Sequence, residues 1–136
     1  MSSIVYKDLE FDEKEILNLY NDNGWSSYTR DEKSLFKGIK CSLLVLAAYD
    51  TGTLVGLIRV VGDGNTIIYI QDILVLKRYQ RLGIGTKLLL DVLNKYNKVR
   101  QICLSTDLTE EQKKFYESCG FKEYNDKKIT GFIYYK

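Results

Sequence analysis

The chain has 136 residues, of which 45% are hydrophobic and 28% are charged, and its net charge at pH 7 is +2. This composition indicates one globular domain over residues 1–136 with a sizeable core, and it excludes a disordered chain. A charge so close to zero argues against general nucleic-acid binding, which usually requires a strong basic excess on one face.

Histidine and cysteine usage excludes further classes of protein. The chain has no histidine, so hydrolases that use a histidine base and most zinc enzymes are excluded. Cys41, Cys103 and Cys119 are far apart and show no C-x-x-C spacing, so we expect neither a disulfide framework nor a metal site. The apolar stretches are short and the N-terminus has no charged leader, so we expect a cytoplasmic protein without membrane contact.

The N-terminal part predicts a strand followed by two helices. Weak alternation over residues 3–8 predicts the strand. Asp12 precedes an apolar stripe at helical spacing that ends in an Asn-Asp-Asn-Gly stretch, and this predicts the first helix. Thr29 and Glu32 form a capping-box pattern, which predicts a second helix through Lys40.

The middle of the chain predicts most of a sheet. Apolar runs over residues 42–49, 54–61 and 66–76, separated by glycine-bearing turns, predict an antiparallel meander. Residues 84–96 have helical spacing, and residues 101–105 form a short apolar run. This order of strand, helix and strand predicts a right-handed parallel crossover.

The C-terminal part predicts one more helix and two closing strands. Thr109 with Gln112 is a capping-box pattern that opens a helix ending at Gly120. Residues 121–124 and 129–135 have strand character. The total is an α/β (α+β) fold with a mixed, mostly antiparallel central sheet of six to seven strands and four helices.

One glycine-bearing segment stands between the long predicted strand and the helix that follows it, Gln80-Arg81-Leu82-Gly83-Ile84-Gly85-Thr86. Such a turn leaves several backbone N–H groups without carbonyl partners at the positive end of a helix dipole, which suits a phosphate. Neither the G-x-x-x-x-G-K-[ST] loop nor the G-x-G-x-x-G fingerprint fits. We therefore predict a loop that binds an anion of pyrophosphate size.

The Q-x-x-G-x-G pattern of this loop, after a strand carrying Val75, resembles the acetyl-CoA loop of the GNAT superfamily of N-acetyltransferases. A second segment, Phe115-Tyr116-Glu117-Ser118-Cys119-Gly120-Phe121, is similar to the family's F-Y-x-x-x-G-F segment. The resemblance implies a GNAT-like acyl-CoA N-acyltransferase fold without a metal. It also implies transfer of the acetyl group of acetyl-CoA to a primary amine of a small molecule or peptide by direct attack, and it is compatible with a homodimer.

The resemblance also implies roles for individual residues. The backbone of Ile73, Leu74 and Val75 is expected to lie along the pantetheine, with one amide near the acetyl oxygen. The whole loop, Gln80, Arg81, Leu82, Gly83, Ile84, Gly85 and Thr86, is expected to bind the cofactor. Tyr116 is expected near the cofactor sulfur, where it protonates the departing thiolate. Thr109 takes the place of an asparagine that faces the cofactor in the family, although capping also explains it.

The proton acceptor and the amine pocket are left open by the sequence. Gln71 and Asp72 lie in the long strand, and regular alternation would let only one of them face the site. Asp72 is either the base or a structural acceptor, and Gln71 would require a chain of waters. Trp25 and Tyr28 are candidates for the amine pocket through cation–π contact, or they pack in the core.

Two other functions are compatible with these motifs. A non-catalytic acyl-CoA sensor would share the fold without the chemistry. A module for a different anion, such as a nucleotide, should bind ATP as well as CoA.

Overall fold

The structure is a computed structural model that describes residues 3–136. The chain divides into two compact units, Met1–Ser105 and Thr106–Lys136, which are described separately. No helix among the described residues is long and apolar enough to cross a bilayer.

The first unit contains one mixed five-stranded sheet. The strands are β1 (Ile4–Asp8), β2 (Leu44–Asp50), β3 (Thr53–Gly62), β4 (Ile67–Val75) and β5 (Gln101–Leu104). They lie in chain order across the sheet, and β1 to β4 pair antiparallel while β5 runs parallel to β4. The helices of this unit are α1 (Glu13–Asp22), α2 (Ser26–Thr29), α3 (Glu32–Lys40) and α4 (Ile84–Lys95). The predicted meander and parallel crossover are confirmed.

One of the two predicted starts of the N-terminal helices is correct and the other is not. Asp12 caps α1 as predicted, since its Oδ1 accepts from the Glu15 N–H at 3.0 Å. The predicted start of the second helix is wrong, because Asp31 caps α3 and accepts from the Ser34 N–H at 3.3 Å. Thr29 instead ends the one-turn helix α2, which the sequence analysis did not separate from α3.

The apolar core of the first unit lies against the sheet. It includes side chains of α1, β3 and α4 that are fully buried, among them Ile16, Leu19, Leu57, Ile58, Leu88 and Val92. Gly56 lies where β3 passes the start of α4. A Cβ at this position would lie 3.2 Å from the Leu74 carbonyl oxygen and 3.3 Å from Ile84 Cγ2. Any larger residue here would have to displace one of these neighbours by a few tenths of an ångström.

The second unit contains α5 (Glu110–Ser118) and a 3₁₀ turn at Tyr124–Lys127. The predicted Thr109 cap is confirmed, because Thr109 Oγ1 accepts from the Gln112 N–H at 3.2 Å.

The two predicted closing strands are wrong, and the described residues form five strands and five helices instead of six to seven strands and four helices. Residues 129–136 are rich in β-formers but have no regular structure. Phe132 is 96% exposed and Ile133 is 84% exposed. Strand propensity reflects packing against neighbours, so these side chains do not make a strand where no partner covers them.

Candidate functional site

The edge of β4 that faces β5 is only partly covered. β5 pairs with residues 67–70, and among residues 3–136 no strand pairs with the remainder of that edge. On the other side of β4, the Leu76 N–H donates to the Val55 carbonyl at 2.8 Å. Because antiparallel ladders alternate in direction, the N–H groups of Ile73 and Val75 point to the open edge. This edge can therefore pair with an extended ligand.

Two side-chain amides tie the end of β4 to the loop that follows. Asn23 Nδ2 donates to the Val75 carbonyl at 3.2 Å, and Gln80 Nε2 donates to the same oxygen at 3.0 Å. The sequence assigns Gln80 to cofactor binding. Its side-chain amide is used inside the protein, where it fixes the start of the loop against the end of the strand.

The glycine loop adopts left-handed backbone twice before α4 begins. The φ angle is +64° at Arg81 and +86° at Gly83, the residue that precedes α4. Gly83 has no side chain to cap the helix, and the first N–H to bond back is that of Lys87, to the Gly83 carbonyl at 3.0 Å. The N–H groups of residues 84–86 have no helical acceptor and lie at the positive end of the dipole. This arrangement suits a phosphate group.

A bulge in β4 brings Gln71 and Asp72 to the same neighbour. Asp72 lies opposite Arg59, but the register shifts between Arg59 and Val60, which leaves Gln71 without a partner in β3. Gln71 Nε2 lies 3.1 Å from Tyr28 Oη, and Tyr28 Oη lies 2.8 Å from Asp72 Oδ1. Gln71 is exposed whereas Asp72 is buried, so contact with Tyr28 does not place both of them at the surface, and the expectation that only one of the two residues faces the site stays a prediction.

Asp72 is the centre of a buried polar cluster. It is 3% exposed, and its Oδ2 accepts from the Tyr20 hydroxyl at 2.8 Å and from Arg59 Nε at 2.8 Å. Its Oδ1 accepts from the Tyr28 hydroxyl. Both oxygens of this carboxylate are therefore occupied by donors within the protein, one of them the guanidinium of Arg59. Of the two roles left open by the sequence, this geometry favours the structural acceptor.

The charges of this cluster are balanced within it. Burial raises the pKa of Tyr20, and the charge of Asp72 raises it further. Burial also raises the pKa of Tyr28, partly offset by the hydrogen bond from Gln71. Burial alone would lower the pKa of Arg59, but Asp72 outweighs it and the pKa is raised. The cluster therefore consists of the Arg59–Asp72 ion pair and of two tyrosine hydroxyls that keep their protons at neutral pH.

Trp25 and Tyr28 lie side by side. Their rings are stacked with centroids 6.0 Å apart, and Trp25 also meets the Tyr20 ring edge-on at 5.9 Å. Because Tyr28 contacts Gln71, this aromatic pair adjoins the bulge of β4. Their part in binding an amine stays a prediction.

In the second unit, Tyr116 is a buried helix residue. Its ring meets those of Phe115 and Phe121 at centroid distances of 4.9 and 5.8 Å. Burial raises its pKa to about 12, with a hydrogen bond involving Thr106 acting in the opposite direction. Thr109 uses its hydroxyl to cap α5. This capping role explains a threonine at this position without any contact to a ligand.

Comparison with known proteins identifies the family. The model of the acetyltransferase (GNAT) domain matches residues 10–134. The chain belongs to the GNAT family of acetyltransferases. A GNAT family acetyltransferase from Streptococcus pneumoniae has a solved structure that is 34% identical, with a TM-score of 0.87. The match covers 100% of this chain and 98% of that one. No curated protein sequence matches significantly.

More distant structures share the GNAT fold. An aminoglycoside N-acetyltransferase, AAC(6')-Iy, in complex with CoA is 15% identical with a TM-score of 0.75, over 100% of this chain and 95% of that chain. PaiA N-acetyltransferase from Thermoplasma acidophilum in complex with coenzyme A is 19% identical with a TM-score of 0.70, over 88% of this chain and 90% of that chain.

The sequence analysis of this GNAT chain missed Arg59, Tyr20 and Asn23. Arg59 had a signal, because it is the lone charged residue of its apolar run. Asp72 is likewise the lone charged residue of the next run, which follows after one turn. Since a buried charge needs a partner, the two isolated opposite charges predict a pair. Tyr20 and Asn23 had no comparable signal, because both fit the ordinary pattern of a helix and its end.

Proposed function

We propose that the chain is an N-acetyltransferase that transfers the acetyl group of acetyl-CoA to a primary amine by direct attack in a ternary complex. The observation that carries the proposal is an open strand edge followed directly by an uncapped helix start. An acyl-CoA uses both features, because its pantetheine arm carries amides and its pyrophosphate needs converging N–H groups. The two CoA-bound structures with the same fold support the use of an acyl-CoA.

In this proposal the backbone holds the cofactor. The N–H groups of residues 81–86 bind the pyrophosphate, and residues 73–75 run beside the pantetheine. The Leu74 N–H points towards β3 by the same alternation as above, so Val75 is the better placed of the two amides expected near the acetyl oxygen. A fixed N–H at this oxygen stabilises the negative charge that develops as the amine attacks.

We propose Tyr116 as the donor to the departing thiolate. A pKa of about 12 keeps the phenol protonated across the physiological range, as a donor must be. A free thiol titrates near about 8.5, so the phenol is the weaker acid. Hydrogen-bond donation to the thiolate is therefore favoured over complete proton transfer.

The acceptor is proposed to be a small-molecule or peptide amine held beside Trp25 and Tyr28. Aromatic faces attract ammonium groups and bury apolar stems. An aminoglycoside N-acetyltransferase among the proteins of the same fold agrees with an amine acceptor.

Ligand-induced stabilisation tests the binding part of the proposal. Acetyl-CoA at about 100 times its dissociation constant should add about 2.7 kcal/mol to the free energy of unfolding, whereas ATP should add little. Gly83→Trp should abolish this effect by filling the space that the pyrophosphate needs. Gly52→Trp is the matched control, because Gly52 has a φ of +84° and, like Gly83, open space around it. Unchanged affinity in Gly83→Trp would refute the loop assignment.

A panel of primary amines tests the catalytic part. Release of CoA together with an acetylated amine, detected by mass spectrometry, is the expected result. Binding of acetyl-CoA without acetylation of any amine would instead favour the sensor.

A further inference from the structure

Hydrogen-bond direction fixes the orientation of the Gln71 side chain. Asp72 is a carboxylate and can only accept a hydrogen bond, so the Tyr28 hydroxyl donates its one hydrogen to Asp72 Oδ1 at 2.8 Å. The Tyr28 oxygen can then only accept from Gln71, at 3.1 Å. Arg59 Nη2, 3.3 Å away, is also a donor to this oxygen and cannot reverse the direction. The Gln71 amide is therefore held by its Nε2 end.

This orientation leaves the Gln71 carbonyl for a ligand. Gln71 is the bulged residue of β4 and is exposed, and its Oε1 takes no part in the cluster. It lies next to the stacked pair of Trp25 and Tyr28 and immediately before the open edge of β4. A carbonyl in this place can accept a hydrogen bond from an attacking amine, but an amide takes up no proton near neutral pH.

We infer that Gln71 Oε1 positions the acceptor amine and that none of the described side chains around it in the first unit serves as a base, so that the enzyme acts on amines that are already neutral near pH 7. The inference rests on the proposed acetyl transfer. The substrate class it names is a weakly basic primary amine, such as the α-amino group of a peptide.

The groups that face Gln71 support this assignment. From β4, Asp72 is engaged by three donors, and from β3, Arg59 is a cation that cannot take up a proton. From α1 and α2, Tyr20 and Tyr28 both hold their protons more tightly than a free phenol does. The chain contains no histidine. The ammonium proton is accordingly lost to water before the amine attacks. The nitrogen lone pair then forms the new C–N bond, and the C–S bond breaks with its electron pair leaving on the sulfur of CoA. The surplus proton on the acetylated nitrogen is also lost to water, and the CoA thiolate takes up a proton from solvent, so the products are the N-acetylated amine and CoA.

The size of the expected preference follows from ordinary pKa values. A peptide α-amino group titrates near about 7.8 and a lysine ε-amino group near about 10.4. At pH 7 roughly 14% of the first and about 0.04% of the second are neutral. Between pH 7 and pH 9 the neutral fraction rises about sevenfold for the α-amine and about a hundredfold for the ε-amine.

The experiment measures kcat/KM against pH for alanyl-alanine amide and for Nα-acetyl-lysine amide. With no base, kcat/KM for the ε-amine should rise about a hundredfold between pH 7 and 9, and for the α-amine about sevenfold. A carboxylate base would instead give a flat profile for the ε-amine, because the ionised base and the ammonium ion then coexist over that range. A flat wild-type profile overturns the inference.

Two variants sharpen the test. Gln71→Glu places a carboxylate at the amine, so it should flatten the ε-amine profile and raise kcat/KM for that amine at pH 7. Gln71→Met has no carbonyl, so it should keep the steep profile and raise KM for both amines. Acetyl-CoA stabilisation checks that each variant is folded. An unchanged profile in Gln71→Glu would contradict the inference, and so would failure to acetylate either amine when other amines of the panel are acetylated. Acetylation of no amine at all would overturn the proposed function itself.

Discussion

The buried ion pair of Arg59 and Asp72 provides the sharpest test of the polar cluster. Arg59 is 7% exposed and Asp72 is 3% exposed. Arg59→Met fills a similar volume but leaves the carboxylate buried with only the two tyrosine hydroxyls as donors. Breaking a buried pair from one side costs about 3–5 kcal/mol, because a buried charge is left uncompensated. For 136 residues, at roughly 2.1 cal/mol/K per residue, this corresponds to a fall in Tm of about 10–18 °C.

Urea denaturation, followed by the fluorescence of the single tryptophan, measures this cost directly because Trp25 stacks on Tyr28 beside the cluster. The matched control is Lys7→Met, which removes an exposed ion pair with Glu10 and should cost less than about 1 kcal/mol. Combining Arg59→Met with Asp72→Asn should cost clearly less than the two single changes added together. A cost below 1 kcal/mol for Arg59→Met, or simple additivity in the double variant, would refute this account of the cluster.

Two further predictions concern tyrosines. Tyr116→Phe should lower turnover while acetyl-CoA affinity stays nearly unchanged, which steady-state kinetics and calorimetric titration can separate; wild-type turnover would remove Tyr116 as the donor. Above about pH 10 an unfolded tyrosine loses its proton while Tyr20, with its raised pKa, keeps it. The stability that Tyr20 contributes is thus fully present below pH 10 and declines above it, by up to about 1.4 kcal/mol per pH unit. Between pH 9 and 11 this loss amounts to about 1.4 kcal/mol in total. Urea titrations of Tyr20→Phe should show a loss of stability smaller by that amount over this range, and equal losses would contradict the assignment.

Local signals were sufficient for much of the fold. Asp12 and Thr109 cap helices where their spacing to the following residues predicts it. The strand order up to β5 followed from apolar runs and short turns. The predicted strand at residues 129–135 was wrong because the composition of this segment carries strand propensity but does not indicate whether another strand lies beside it.

The candidate site was predictable where it depends on backbone and not where it depends on register. The loop around Gly83 follows from glycine placement before a helical run. The contacts of Gln71 and Asp72 could not be predicted in this way. The bulge that brings both side chains to Tyr28 is one extra residue relative to β3, and the pairing register of a strand cannot be read from its own sequence. The partnership of Arg59 with Asp72 did have a signal, because each is an isolated charge in an apolar run, but the sequence analysis did not use it.

The absence of a side chain at Gly56 has a consequence for how far apart two parts of the site lie. Its missing methyl group sets the spacing between Leu74, on the strand, and Ile84, at the first turn of α4, since a Cβ would come within 3.2 and 3.3 Å of them. Any larger residue would require the Leu74 carbonyl or the Ile84 side chain to move by a few tenths of an ångström. The distance between the open edge of β4 and the start of α4 is thus influenced by a residue that belongs to neither element.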